Sequence, residues 1–367
     1  MHHATQETSD GKLATTELLG SAPVSLLAAL LLAGCASKPI LSYESPTPAQ
    51  VLAPIESAGI EDGRARFRQL FCERFTAIGA PKGGKTECAD YLHRLVGEPA
   101  KPTLPAGTPL PLASVHFVVV PGFMIDAAPG GMRALGNSID RLAQRGYRIE
   151  YLQVSGGGGG DYNGEQIAEH FRRRQFPENE KLVLIGYSKG SIDLMHFLVR
   201  NPDLAKHVDA MVSYSGAVNG SVLAEVYPQF LIDIGITLGG SEPGDRAGFH
   251  ALEPSVQMAW LASHPLPAHI AYFSLVSFTD RANVSAALTD GYDRLAQINP
   301  RNDGQLIFYD QILPHSTLLG YANGDHWAIA LPFTEKAPGF AATVGNRNEF
   351  PREAMLEAVL LYVRETL

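Results

Sequence analysis

Lys181-Leu182-Val183-Leu184-Ile185-Gly186-Tyr187-Ser188-Lys189-Gly190-Ser191-Ile192-Asp193-Leu194-Met195-His196-Phe197-Leu198-Val199 is the stretch whose reading decides the fold. Its first five residues form a short apolar run, as expected for a strand buried on both faces of a parallel sheet. From Ser191 onward the run reads as a helix. Between the two lies G-x-S-x-G. A chain that passes from strand to helix in so few residues must turn sharply. A side chain two positions to either side of Ser188 would collide with the neighbouring strand and helix, so both flanks are Gly. The strained turn projects the Ser188 Oγ into open space above the sheet.

The five-letter pattern alone is weak. With 36 glycines in 367 residues, chance produces it in roughly one such chain in four or five. Its context makes it informative. Strand-like and helix-like runs alternate on both sides of it. Val115–Val120, Tyr147–Val154, Val208–Tyr214, Ile270–Ser277 and Thr317–Tyr321 read as strands. Met132–Gln144, Gly164–Arg174 and residues 352–366 read as helices. This rhythm predicts an α/β fold with a mainly parallel, doubly wound sheet. It breaks after Gly216. Residues 217–268 hold apolar helical patches, Phe230-Leu231-Ile232 and Met258-Ala259-Trp260-Leu261, split by a loop from Gly239 to Gly244. They are expected to form a helical cap inserted over the site; extra packing helices with no gating role are the alternative. The five glycines 156–160 read as a flexible loop.

The expected organisation is a leader over 1–34, a tether and small helical N-terminal extension over 35–110, and the main domain over 111–367. Within the extension, residues 61–97 read as two short helices joined by a turn. Prolines 99, 102, 105, 109 and 111 mark an extended connection.

Composition narrows the function classes. Hydrophobic residues make up 45% of the chain, mean hydropathy is near zero, and the net charge is −9. No block of Lys and Arg stands out, which argues against nucleic-acid binding. There is no H-E-x-x-H and no Cys/His cluster, so no metal is expected. The glycine run lacks the form of a phosphate loop, so no nucleotide or other cofactor is expected.

A serine hydroxyl needs a base to take its proton and a carboxylate to orient that base. Both should follow the serine, at the ends of late strands. Of 12 histidines, His326 in Asn323-Gly324-Asp325-His326-Trp327 directly follows the last strand. His315, just before that strand, is its rival. Two acids compete by position: Asp280, directly after a strand, and Asp303, in the turn Asn302-Asp303-Gly304. The oxyanion donors should be the N–H of Lys189, directly after the serine, and an N–H in the loop after the strand ending at Val120. The Lys189 side chain either pairs with an acid behind the turn or is solvated.

From about 113 to 333 the chain resembles bacterial triacylglycerol lipases and related α/β-hydrolase esterases. In those enzymes an N-D-G turn carries the acid, and an Asp-His or Asn-His pair follows some two dozen residues later. Asn302-Asp303-Gly304 and Asp325-His326 match both elements. The resemblance therefore implies a triad of Ser188, His326 and Asp303, with Asp280 as alternate. Relatives have His-Gly in the oxyanion loop, where this chain has Pro121-Gly122-Phe123, and the resemblance implies the Phe123 N–H as the second donor. The resemblance implies hydrolysis of ester or lipid substrates. The same triad also serves acyl transfer and thioester cleavage, and a non-catalytic scaffold can keep such a fold.

Near the start, Leu32-Ala33-Gly34-Cys35 resembles the lipobox of bacterial lipoproteins. That implies cleavage before Cys35, diacylglyceryl attachment to its sulfur, and a place in the bacterial cell envelope, held to the membrane by the lipid. An ordinary apolar helix with a chance cysteine is the alternative. Cys72 and Cys88 remain, and export would favour a disulfide between them over two buried thiols.

Overall fold

The structure, a computed structural model, describes residues 59–102, 108–123, 125, 131–226 and 245–367. The leader with Cys35, almost all of the tether, Phe230-Leu231-Ile232 and the loop Gly239 to Gly244 lie outside the described residues.

Eight strands form one sheet: β1 (Glu61–Asp62), β2 (Leu92–His93), β3 (Val115–Val120), β4 (Arg148–Tyr151), β5 (Lys181–Tyr187), β6 (Ala210–Tyr214), β7 (Ala271–Phe278) and β8 (Thr317–Asn323). Their order is β1-β8-β7-β6-β5-β3-β4, and β2 also pairs with β8. All pairings are parallel except β2 with β8. The expected doubly wound architecture is therefore present. Successive residues point to opposite faces. Thus Val183 and Ile185 of β5 join one core, while Leu182 and Leu184 join the other. Both faces are covered, which is why these strands read as unbroken apolar runs.

On one face lie helices α1 (Arg64–Ile78), α2 (Gly136–Gln144) and α7 (Arg352–Thr366), contributing Phe67, Phe71, Leu142, Met355 and Val359. On the other lie α3 (Gly160–Arg172) and α4 (Gly190–Arg200), with Ile167, Phe171, Ile192 and Phe197. Helices α5 (Pro254–Ser263), from the insert, and α6 (Thr289–Ala296) complete the longer elements.

Several local expectations are corrected. Residues 61–97 contain one 15-residue helix, a single 3₁₀ turn at Cys88–Tyr91 and two two-residue strands, in place of two short helices. The strands are docked on β8: Glu61 opposite Thr317, and Leu92 opposite Ala322. Two-residue strands have no periodicity to read; only their distant partner makes them strands. The helix expected from Met132 begins at Gly136, because Leu135 takes a left-handed φ of 59°. The strand expected over Tyr147–Val154 pairs only from Arg148 to Tyr151. The five glycines are buried, and Gly160 already belongs to α3. A Cβ on Gly160 would lie 2.7 Å from the His196 ring. Glycine there serves close approach of α3 to α4.

Cys72 and Cys88 are joined by a disulfide, with Cα atoms 5.3 Å apart. It ties α1 to the turn leading into β2, so the paired reading of these cysteines holds over free thiols.

Asp310, in a 3₁₀ turn of the loop between α6 and β8, is buried. Burial pushes its carboxyl up to about 6, opposed only by a long hydrogen bond from Asn219. An acid raised in the folded state holds its proton more tightly there than in the unfolded chain. Its contribution is full below the unfolded value near 4 and is lost as pH rises through about 6. Two pKa units correspond to about 3 kcal/mol as an upper bound. Asp310→Asn is therefore expected to raise Tm by roughly 5 °C at pH 8 and to leave it unchanged at pH 4. Thermal unfolding at the two pH values checks this.

Candidate active site

The β5–α4 junction has the predicted shape. Ser188 sits in the left-handed region at φ 55°, sparsely populated for a side-chain-bearing residue. Its neighbours explain why the flanks are glycine. A Cβ on Gly186 would lie 2.6 Å from the backbone of Ser191, and one on Gly190 would lie 2.5 Å from the Pro121 carbonyl oxygen and closer still to that of Val120. Cβ atoms in folded proteins do not approach backbone so closely.

Ser188 lies at the carboxyl end of β5, and the loops following β7 and β8 bring the partners to it. The His326 Nε2 is 2.9 Å from the Ser188 Oγ. Its Nδ1 is 2.7 Å from the Asp303 Oδ2. The sequence-predicted Ser188, His326 and Asp303 are thus one hydrogen-bonded chain, although they lie 138 and 23 residues apart in order. All three are buried, Asp303 completely.

Asp303 has no cationic side chain in hydrogen-bond contact, so hydrogen bonds must compensate its burial. Its Oδ1 accepts the N–H groups of Gln305 at 2.9 Å and Leu306 at 2.7 Å, as the Asx turn requires. Its Oδ2 accepts the Ser277 hydroxyl at 2.6 Å in addition to His326. His326 is fixed from behind as well. Its carbonyl accepts the Tyr187 hydroxyl at 2.7 Å, and the two rings stack with centroids 5.2 Å apart. Burial beside Asp303 and Asp325 holds the Tyr187 phenol far above its ordinary value, so it remains a donor. Asp325 accepts the N–H groups of Ser285, Trp327 and Ala328 at 2.7, 3.0 and 2.7 Å and so shapes the loop that carries His326. Burial pushes its carboxyl up.

The rivals are elsewhere. Asp280 is exposed and opens a 3₁₀ turn at 281–283. His315 is exposed and precedes β8, at the end of the strand opposite His326. Neither touches Ser188.

Gly122 and Phe123 line a cavity together with Ser188. A Cβ on Gly122 would lie 2.7 Å from the Ser188 Cβ, so glycine lets this loop close on the serine. Lys189 follows Ser188 directly, at the mouth of α4. Its side chain is buried and pairs with Asp193 at 2.6 Å, one turn along the helix. Asp193 also accepts Asn163 at 2.9 Å. Burial raises its carboxyl against the pull of Lys189. Of the two readings of the Lys189 side chain, pairing behind the turn is the observed one.

The cavity above Ser188 measures about 450 Å³, within the usual range for small-molecule sites. One wall comes from the described part of the insert, Leu223, Ala224, Phe249 and Leu252; the other comes from Leu288, Trp327, Leu331, Phe333 and Phe340. Both are apolar. Tyr187 and Ser277, which steady His326 and Asp303, were not singled out in the sequence. Each is an ordinary strand residue whose partner is distant in the chain.

No family model matches the chain, and no curated protein matches it. Among solved structures, the Bacillus licheniformis lipase BlEst2 in its propeptide form is 23% identical, covering 64% of this chain and 51% of that one with a TM-score of 0.50, a likeness of fold. The metagenomic carboxyl esterase MGS0156 is 34% identical, covering 94% of this chain and 100% of that one with a TM-score of 0.78. With that identity sustained over almost its whole length, the chain belongs to the family of this carboxyl esterase, within the α/β-hydrolases.

Proposed function

We propose that the protein is a serine carboxylesterase that works through an acyl-enzyme. The observation that carries this is the unbroken relay from Ser188 through His326 to Asp303 at the floor of an apolar cavity. The Ser188 Oγ attacks the ester carbonyl carbon while the His326 Nε2 takes its proton. Negative charge develops on the former carbonyl oxygen, where the N–H groups of Phe123 and Lys189 receive it. Asp303 steadies the resulting imidazolium. His326 then protonates the departing alkoxide, leaving the acyl group on Ser188. Water, deprotonated by His326, attacks that ester and releases the carboxylic acid.

The apolar walls fit an apolar acyl chain. A panel of p-nitrophenyl esters of rising acyl length tests the reading. Hydrolysis that passes through a maximum with chain length is expected; folded protein that hydrolyses no member of the panel overturns it.

Export and lipid anchoring at Cys35 belong to the same proposal. They rest on Leu32-Ala33-Gly34-Cys35 and are supported by the Cys72–Cys88 disulfide, which suits an oxidising compartment. In bacterial cells fed labelled palmitate, the wild-type chain is expected to take up label and sediment with membranes, and Cys35→Ser to do neither. Equal labelling of both sinks the anchor.

A further inference from the structure

We infer that Ser277, braced by Gln311, is a positioning residue for the reaction: its hydroxyl holds the Asp303 oxygen that faces His326. The inference rests on the proposed role of Ser188, His326 and Asp303 and goes beyond it.

The Asp303 Oδ2 has two donors, the His326 Nδ1–H at 2.7 Å and the Ser277 Oγ–H at 2.6 Å. These two bonds pull on one atom from different elements, the loop after β8 and the end of β7. The other oxygen is held by the two backbone N–H groups of the Asx turn. Without Ser277, Oδ2 is held by His326 alone, the ring that it has to orient. With Ser277, both oxygens are tied, and the one meeting the imidazole is fixed in place.

Ser277 is itself unusually constrained. Near the end of β7, the side-chain amide of Gln311 pairs with its peptide group as a neighbouring strand would. The Ser277 N–H donates to the Gln311 Oε1 at 2.7 Å, and the Gln311 Nε2 donates to the Ser277 carbonyl at 2.8 Å. The Ser277 Oγ is 3.4 Å from the same Gln311 oxygen, so the much shorter bond to Asp303 takes its proton. Gln311 accepts the Ser213 hydroxyl through its own carbonyl, at 2.9 Å, which links it to β6. Ser277, Gln311, Ser213 and Asp303 are all buried, with no exposed surface. A polar network this deep in the sheet fixes one geometry when every member is paired. Here its output is the orientation of one carboxylate oxygen.

A residue that acts on Asp303 should alter chemistry more than binding. In Ser277→Ala, Asp303 loses one donor. Its orientation loosens. For p-nitrophenyl ester hydrolysis, kcat is expected to fall about tenfold to hundredfold with KM within about twofold. Ser277→Cys, close in size but a weak donor, should fall between alanine and wild type, and it carries the comparison if the alanine variant does not fold. Wild-type kcat in Ser277→Ala overturns the inference. So does a loss of kcat that tracks a fall in Tm and is as large in Ser277→Cys as in Ser277→Ala, which is what packing alone would give. Ser188→Ala is run beside them. If that control still hydrolyses ester, the reading of Ser188 fails first, and no relay remains for Ser277 to steady.

Discussion

Ser188→Ala is expected to lower kcat for ester hydrolysis by roughly 10⁴- to 10⁶-fold while the protein stays folded. The loss is large because the three side chains act as a unit. Without the Oγ there is no atom to form the acyl-enzyme, and His326 has no proton to take. What remains is the cavity and the oxyanion donors acting on water. The fold should tolerate the change. Alanine can take the φ of 55° that the tight strand-to-helix turn requires, as serine does, and only one hydrogen bond, to the His326 Nε2, disappears. Tm should stay within a few degrees of wild type. A folded Ser188→Ala protein retaining full esterase activity would falsify the proposed chemistry at its first step.

The largest expected effect on stability is at Gly190. Gly190→Ala places a methyl group 2.5 Å from the Pro121 carbonyl oxygen and nearer still to that of Val120. Neither partner can yield easily. Val120 ends β3, which is paired on both sides, with β4 and with β5. Gly190 opens α4, whose Ile192, Leu194, Phe197 and Leu198 are fully buried. Relief means pushing a helix off the sheet or bending a central strand, so the cost should reach about 4 kcal/mol or more. A Tm lowered by roughly 10 °C or more, or loss of soluble protein, is the expected readout. An unchanged Tm would mean that the helix and strand do not pack this closely.

These two positions show what is legible in a sequence and why. The β5–α4 junction is local: the strand, the tight turn and the helix all lie within about twenty consecutive residues. The buried strands are legible because both faces are covered, which leaves unbroken apolar runs. The closing helix over 352–366 keeps its predicted bounds because it carries its own apolar stripe. Where identity depends on a distant partner, the pattern fails. Leu92–His93 is a strand only because β8 offers its edge. Five glycines look like a flexible loop, yet Gly160 is there because His196 presses against it. The resemblance selected Asp303 over Asp280, and only coordinates put the His326 ring against that carboxylate. Ser277 and Gln311 carried no signal at all. Their importance is a matter of two or three distances inside the sheet.

The most direct test of the account is covalent. A fluorophosphonate reports on a serine only when its hydroxyl is activated, whatever the natural ester. Treated with the probe, digested and analysed by mass spectrometry, the wild-type protein should carry one adduct, on the peptide containing Ser188, and His326→Ala should acquire it far more slowly. Folded wild-type protein that stays unmodified, or is modified on a different serine, contradicts the account.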